Sequence, residues 1–319
     1  MDRRLDAPPT YSLRYDGLET SFSETECTAW DDVISGCFIA GEWLGTSALR
    51  QIRMASPIAF IGSTGGCANS CLAHTLKGGY NVVALARTPS KLTDQLKVQG
   101  IEQSVIDNQL TVIQGDVNDI EAVKRTVAPA CNNGALVPTI ISGIGSTPKL
   151  QASIWQPVTL NDPNVCEKAT NNIISAVKEV QSSHGSGMPK TQPFLTVVST
   201  TGISKTEDVP LAFRPLYHYF LAVPHKDKLK MEEAIFNAVA DPTPTSRVFR
   251  GVMSVRPSLL TGDYNIATGK GWKTLRVGTD DKPAVGYTIQ RADVGEWMYH
   301  EVVANRGQNY TNQKVSLTS

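Results

Sequence analysis

Gly62-Ser63-Thr64-Gly65-Gly66-Cys67-Ala68 follows directly on the apolar run PIAFI at 57–61 and leads into a helical stretch. A tight turn needs a glycine at Gly62, and close backbone approach to a pyrophosphate needs one at Gly65. A small residue at Ala68 lets the helix and strand pack. Free N–H groups and the positive dipole end of the helix then face the phosphates. The same glycines also fit a structural turn with no ligand. Their place between a strand and a helix, with five more such units behind, favours a dinucleotide.

The end of the second apolar run decides which dinucleotide. A site for NAD commonly carries Asp or Glu about 20 residues on, to hold the ribose 2′-hydroxyl. This chain has Ala86-Arg87 there, with Ser90 and Lys91 close behind. A cation that stacks on adenine and pairs with a 2′-phosphate points to NADP(H). The alternative is that Arg87 and Lys91 only solubilise the surface. Asp116-Val117 has the place to hold the adenine, or Asp116 simply caps a turn. Gly143-Ile144-Gly145-Ser146 follows the fourth run and would lie along the ribose or nicotinamide.

Short β-branched runs alternating with helical stretches position these groups, which is the pattern of βαβ units on a parallel sheet. Strands are expected at 57–61, 81–85, 110–113, 139–141, 194–198 and 247–255. Helices are expected to include 69–77, and at 119–127 with Asp119 as cap, at 161–180 and at 225–239. The fold class is therefore α/β, a Rossmann-like doubly wound parallel sheet. Segments 203–225 and 262–290 would form a small cover over the substrate, and ligands bind beyond the carboxyl ends of the strands.

Residues 1–53 differ in composition, with no lysine, no histidine and no sustained hydrophobic period. Met54 precedes the first strand closely, so 1–53 reads as a spurious or poorly ordered extension and 54–319 as the nucleotide-binding domain.

The runs IAFIGSTGGCA, ALARTPSKL, GDVND, ISGIGS, VVSTTGIS, HKDKLKMEEAI, SVRPSLLTG and IQRADVGEWM, in this order, resemble the atypical short-chain dehydrogenase/reductases. Within that group the likeness is to the NmrA-like and flavin reductase/biliverdin-IXβ reductase proteins, over about residues 56–304. The resemblance implies phosphate-loop roles for Gly62, Ser63, Thr64, Gly65, Cys67 and Ala68, and a 2′-phosphate pocket at Arg87, Ser90 and Lys91. It implies adenine contacts at Asp116 and Val117 and a ribose-side segment at Ile144, Gly145 and Ser146. Ser199, Thr200 and Thr201 would stand near the nicotinamide, with Ser199 and Thr201 catalytic and Thr200 on the cofactor. Pro257, Ser258 and Leu259 match the loop that closes over it. Lys228 matches the lysine of the usual Tyr-x-x-x-Lys pair, but Pro224 occupies the tyrosine position. Alcohol or ketone chemistry through a tyrosinate is thereby disfavoured.

Hydride transfer to a conjugated acceptor needs mainly orientation. The expected function is NADPH-dependent reduction of a conjugated or aromatic small molecule: a flavin, quinone, bilin or secondary metabolite. Lys228, Ser199 and Thr201 would be the catalytic residues. The competing reading is a non-catalytic NADP(H)-sensing regulator. Tyr217, Tyr219 and His225 either substitute for the missing tyrosine or pack. Cys67 is either a small turn-filling residue or a thiol activated by the helix N-terminus. Trp272, Trp297, Tyr287 and Phe213 either wall an aromatic pocket or fill the core.

The 319 residues are 41% hydrophobic and 19% charged, with 30 basic against 30 acidic side chains. That composition excludes global disorder and lacks the basic footprint of nucleic-acid binding. The longest apolar stretch, 33–41, is about half of the ~20 residues a membrane span needs. Six scattered cysteines form no disulfide scaffold, and His74 and His184 lack partners at metal spacing. No metal and no membrane or nucleic-acid partner is expected, and the polar opening predicts no signal peptide. The expectation is a cytoplasmic monomer or homodimer.

Overall fold

A computed structural model describes residues 56–145, 162–183, 192–214, 222–241, 243 and 247–319. It also gives the backbone of short strands at 10–15, 18–23, 38–39, 42–43, 148–150 and 158–160. The chain divides into two compact units, Met1–Ile52 and Arg53–Ser319. In the first, Thr10–Tyr15 pairs antiparallel with Leu18–Ser23, and Phe38–Ile39 with Glu42–Trp43. The sequence reading found no sustained period here, although Thr10–Tyr15 (TYSLRY) does alternate polar and apolar residues over six positions, which is a strand signal. A second local signal is the sequence pair Asp16-Gly17 between the first two strands, a strong short-range hairpin mark.

The second unit is built on one eight-stranded sheet. Its strands are β1 (Ile58–Ile61), β2 (Val82–Ala86), β3 (Leu110–Gln114), β4 (Thr139–Ser142), β5 (Phe194–Val198) and β6 (Gly251–Pro257), with two more near the C-terminus. A short β7 (Leu259–Thr261) pairs outside the sheet with β9 (Thr288–Gln290). Strands β8 (Arg276–Thr279) and β10 (Gln313–Thr318) complete the sheet. The order is β8-β10-β6-β5-β4-β1-β2-β3, parallel except for β8 on the β10 edge. Chain direction reverses its walk between β1 and β4, which opens a crevice at their carboxyl ends.

Helices cover both faces: α1 (Gly66–Lys77), α2 (Pro89–Val98), α3 (Gln103–Gln109), α4 (Ile120–Val127), α5 (Val165–Ser183), α6 (Ala222–Asn237) and α7 (Arg291–Met298). Side-chain alternation along β1 divides the core in two. Ile58 and Phe60 join Leu72, Leu76 and Trp297 on one face, while Ala59 and Ile61 join Ile173, Val177 and Ile235 on the other. Burial on both faces makes β1 and β2 continuous apolar runs rather than alternating ones; β5 and β6 are buried throughout as well, but carry Thr196, Ser254 and Arg256 among their apolar residues.

The sixth strand begins at Gly251 rather than at 247. Val248 and Phe249 are buried, but they lie in a bend that fills the α5–α6 face of the core ahead of the ladder. The helix expected at 161–180 runs from Val165 to Ser183, because Asp227 receives its first N–H groups at Cys166 and Glu167 (3.0 and 2.9 Å). Trp297 is 1% exposed in the core, which corrects its reading as a pocket wall. Trp272 instead stacks on His300, 4.4 Å between ring centroids. Phe213 and Tyr287 do meet edge to face at 5.0 Å, and Tyr287 is exposed.

Candidate active site

The turn between β1 and α1 is set by backbone contacts that admit no side chains. Gly62 has φ +74°, and a Cβ on it would lie 2.8 Å from the Gly143 carbonyl carbon at the end of β4. Gly65 N–H donates to the Gly62 carbonyl (2.9 Å), and Asn69 N–H to that of Gly65 (2.7 Å). No side chain caps α1 and no acidic residue stands in its first turn. Its leading N–H groups are thus left for an anion. A Cβ on Gly143 would come within 2.5 Å of the Ala68 methyl, so the small pair sets the approach of β4 to α1.

The loop is braced from behind by amides. Asn69 Nδ2 donates to the Ser63 carbonyl (2.8 Å) and to Gln95 Oε1 (3.3 Å). Gln95 Nε2 reaches the Thr64 carbonyl (3.4 Å), and Gln99 Nε2 donates to Asn69 Oδ1 (2.7 Å). The Ser63 hydroxyl turns inward to the Leu85 carbonyl at 3.2 Å, leaving only its backbone for the loop. Sequence reasoning missed this ladder; the signal is Gln95 in the last turns of α2 and Gln99 four residues on, just past its C-terminus. The thiol of Cys67 is buried, and burial pushes its pKa up to about 12 despite Arg291 and Lys228 nearby. Of the two readings of Cys67, this favours the small turn-filling residue over the activated thiol.

Arg87 follows β2 with its side chain 82% exposed, its Nε 3.9 Å from Asp116 Oδ2. Ser90 and Lys91 are exposed in the first turn of α2, after Thr88 and Pro89. Asp116 also closes a turn, accepting from Asn118 N–H (2.9 Å) and Nδ2 (2.7 Å). Val117 is buried and its carbonyl accepts from Asn172 (2.8 Å). Asp119 caps α4 as expected, accepting from Glu121 and Ala122 N–H.

Across the crevice, Lys228 on α6 joins the ends of two strands. Its Nζ donates to the Ile144 carbonyl after β4 (2.9 Å) and to the Val198 carbonyl closing β5 (2.6 Å). The second of these is the peptide that carries Ser199. Ser199 is 4% exposed, and its Oγ has no hydrogen-bond partner among the described residues. A buried unpaired hydroxyl is costly and calls for a ligand or water to explain it. Thr200 is half-buried beside it. Thr201 is turned to β6, where the Pro257 carbonyl takes its N–H (3.1 Å) and its hydroxyl (3.4 Å). The Ser258 hydroxyl is engaged by Thr318 of β10 (3.0 Å), and Leu259 opens β7 half-buried. Gly145 is exposed with open space at its Cβ position. Ser146, Tyr217 and Tyr219 lie outside the described residues. His225 is buried, which fits packing better than substitution for a tyrosine.

One turn beyond Lys228, Glu232 accepts from Ser254 (2.6 Å) and from Arg256 Nε (2.9 Å) and Nη2 (2.5 Å). Arg256 Nη1 continues to Ser204 (2.5 Å) and Asp280 (2.6 Å), and Ser204 to Asp208 (2.7 Å). Arg256 and Glu232 are each 2% exposed. This network fixes α6 and the loop after β5 to the same strand, β6. Sequence reading missed it because its members are spread over 204–280.

The glycine backbone, the uncapped helix and the unpaired Ser199 hydroxyl fit a dinucleotide laid across the β1 and β4 ends. A family model described as NAD(P)H-binding matches residues 62–304. The chain belongs to this NAD(P)H-binding family. Oxidase pynE of Aspergillus niger is 43% identical over 282 residues, covering 82% of this chain and 98% of the relative. Reductase pytE of Aspergillus terreus is 43% identical over 263 residues, 82% and 97% of the two chains. Among solved structures, a short-chain dehydrogenase/reductase from Veillonella parvula superposes with TM-score 0.56 at 12% identity, over 83% of this chain and 95% of that one. ChuY, an anaerobillin reductase from Escherichia coli O157:H7, gives 0.51 at 18% identity, over 82% and 96%. These structures share the fold. With relatives named for redox chemistry, this member of the NAD(P)H-binding family is an oxidoreductase. Among the described residues no helix is long and apolar enough to cross a membrane, and no three His, Cys, Asp or Glu cluster to hold a metal ion.

Proposed function

We propose that the protein uses NADPH to reduce a conjugated or aromatic small molecule, such as a flavin, quinone, bilin or secondary metabolite. The observation that carries this is Lys228, held by the Ile144 and Val198 carbonyls beside the unpaired Ser199 hydroxyl, with Pro224 where a tyrosine would stand. The reduced nicotinamide, when bound, supplies the hydride. Two Lys228 protons are committed to carbonyls, so the residue holds the crevice floor rigid. Its charge favours electron density arriving at the acceptor. Ser199 can donate its hydroxyl proton to an acceptor oxygen or nitrogen, and that bond would satisfy an otherwise orphaned group. Thr201 is less suited, because its hydroxyl already faces Pro257 O. Arg87 and the first turn of α2 offer a cation and helix N–H groups to a 2′-phosphate.

The test is a paired titration with NADPH and NADH, followed by NADPH oxidation on adding a flavin or a quinone. Preferential NADPH binding with acceptor-dependent oxidation is expected. Binding without turnover across a broad panel of acceptors would favour a cofactor sensor. Failure to bind either nucleotide would overturn the cofactor assignment.

A further inference from the structure

Arg291 begins α7, far in sequence from the glycine loop, yet its side chain lies on the first residue of α1. A Cβ built on Gly66 would fall 2.2 Å from Arg291 Cδ and 3.1 Å from Nε. The two helices approach this closely because small residues line the contact. Ser70 Oγ donates to the Ala292 carbonyl (3.0 Å), and a Cβ on Gly295 would stand 2.4 Å from Ser70 Cβ and 2.7 Å from the Cys67 carbonyl. One guanidinium nitrogen, Nη1, donates to the carbonyl of Gly262 (2.7 Å), just past β7 in the segment that follows β6. Among the described residues the guanidinium meets no carboxylate within ion-pair distance. It is therefore a half-exposed cation at the start of α1, with most of its five N–H donors uncommitted.

We propose that Arg291 binds the cofactor diphosphate from the side opposite the glycine loop, and that residue 66 is a glycine to seat the arginine stem. The inference rests on the nucleotide reading above and adds to it a second, distant contributor to the diphosphate site. A planar fork beside uncapped helix N–H groups suits two adjacent phosphates, which a lone helix end would hold with less charge. It also divides labour between Gly65 and Gly66. A Cβ on Gly65 would meet only the Gly62 and Gly143 carbonyl oxygens (3.2 and 3.3 Å), on the loop side, whereas one on Gly66 would meet Arg291.

The experiment measures dissociation constants of the full chain for NADPH, NADH and adenosine 2′-monophosphate, which has the adenine and 2′-phosphate but no diphosphate. Arg291→Ala is expected to weaken both dinucleotides by a common factor of roughly tenfold or more, the scale of a lost charge-assisted bond. Binding of the monophosphate should stay within about twofold. Gly66→Ala should weaken the dinucleotides in the same pattern, and should cost nothing further in the Arg291→Ala background. Unchanged dinucleotide affinity in Arg291→Ala would overturn the proposal. So would equal loss of the monophosphate, or full additivity of the two substitutions. A parent protein that binds the monophosphate but no dinucleotide would remove the nucleotide reading first, a result distinguishable from all of these.

Discussion

Arg87 has its side chain 82% exposed and, among the described residues, is restrained only by Asp116 at 3.9 Å, a weak competitor for its charge. Arg87→Ala should raise the NADPH dissociation constant roughly tenfold to a hundredfold, the size of lost charge-assisted hydrogen bonds. The NADH constant should move by less than about twofold; equal losses in a titration would detach Arg87 from the 2′-phosphate. Lys228→Ala removes the cation that ties β4 to β5. It should cut kcat by roughly a hundredfold, within the range for lost preorganised donors, with a smaller change in NADPH affinity. Unchanged turnover would take Lys228 off the reaction. Thiol chemistry gives an independent check on the loop. With its pKa raised to about 12, Cys67 is thiolate to roughly one part in 10⁴ at pH 8, and only more alkaline solution increases that. Iodoacetamide should then alkylate exposed Cys131 and spare Cys67, Cys71 and Cys166 until denaturant is added, as peptide mass mapping would show. The site was legible in sequence where its chemistry is local, as in the glycine turn and the Arg87 cluster. It was not legible where partners meet only through the fold. The Asn69–Gln95–Gln99 ladder, the unpaired Ser199 hydroxyl and the seat of Arg291 on Gly66 depend on contacts between separate elements.

At the level of elements, α6 is fixed to β6 by the buried Glu232–Arg256 pair, and the same arginine holds Ser204 of the loop after β5. Glu232→Ala would leave a guanidinium buried without its main counter-charge, which costs about 3–5 kcal/mol. The thermal midpoint should fall by roughly 10 °C for a domain of this size. Replacing Glu232 and Arg256 together with Leu and Met should recover much of that loss, because the uncompensated charge is gone. If the double variant is no more stable than Glu232→Ala, the pair is not the origin of the effect. Asp208, in the same network, has its carboxyl pKa raised by burial, against the hydrogen bonds from Ser204 and Gly202. A raised folded value means its contribution is fully present below the ordinary aspartate value of about 3.9 and is lost as pH rises through the folded value. The stability of the parent relative to Asp208→Asn should therefore decline as pH is raised above about 4 and then level off. A difference that is flat with pH would show that the group does not titrate in this way. Strands β1, β2, β4 and β5 could be read in advance because parallel strands buried on both faces are short, mainly apolar runs, whereas the partly exposed edge strand β3 and the polar-interrupted β6 were legible from their β-branched and apolar residues. Strand β10 (QKVSLT) carries Lys and Ser among its apolar residues, and α3 (QSVIDNQ) buries only Ile106, so neither offered a sustained pattern.

Considered as a whole molecule, the second unit holds every described residue of the proposed site. All eight strands of the sheet, both core clusters and every described site residue lie between 56 and 319. A hydrophobic core closed on both faces of the sheet should not require residues 1–53 for its stability. Protein beginning at Met54 should thus keep its thermal midpoint within about 3 °C of the full chain, equivalent to roughly 1 kcal/mol. Its NADPH affinity and its kcat with a given acceptor should each stay within about twofold, a difference of under half a kcal/mol. The three readouts separate the possible failures. A lower midpoint with normal affinity would mean that 1–53 contribute packing, and a normal midpoint with weaker NADPH would mean that they act on the nucleotide site. Loss of kcat alone, with midpoint and NADPH affinity intact, would place the N-terminal unit at the acceptor. That last outcome would also mean that the cover expected from segments 203–225 and 262–290 is not sufficient to bind the acceptor.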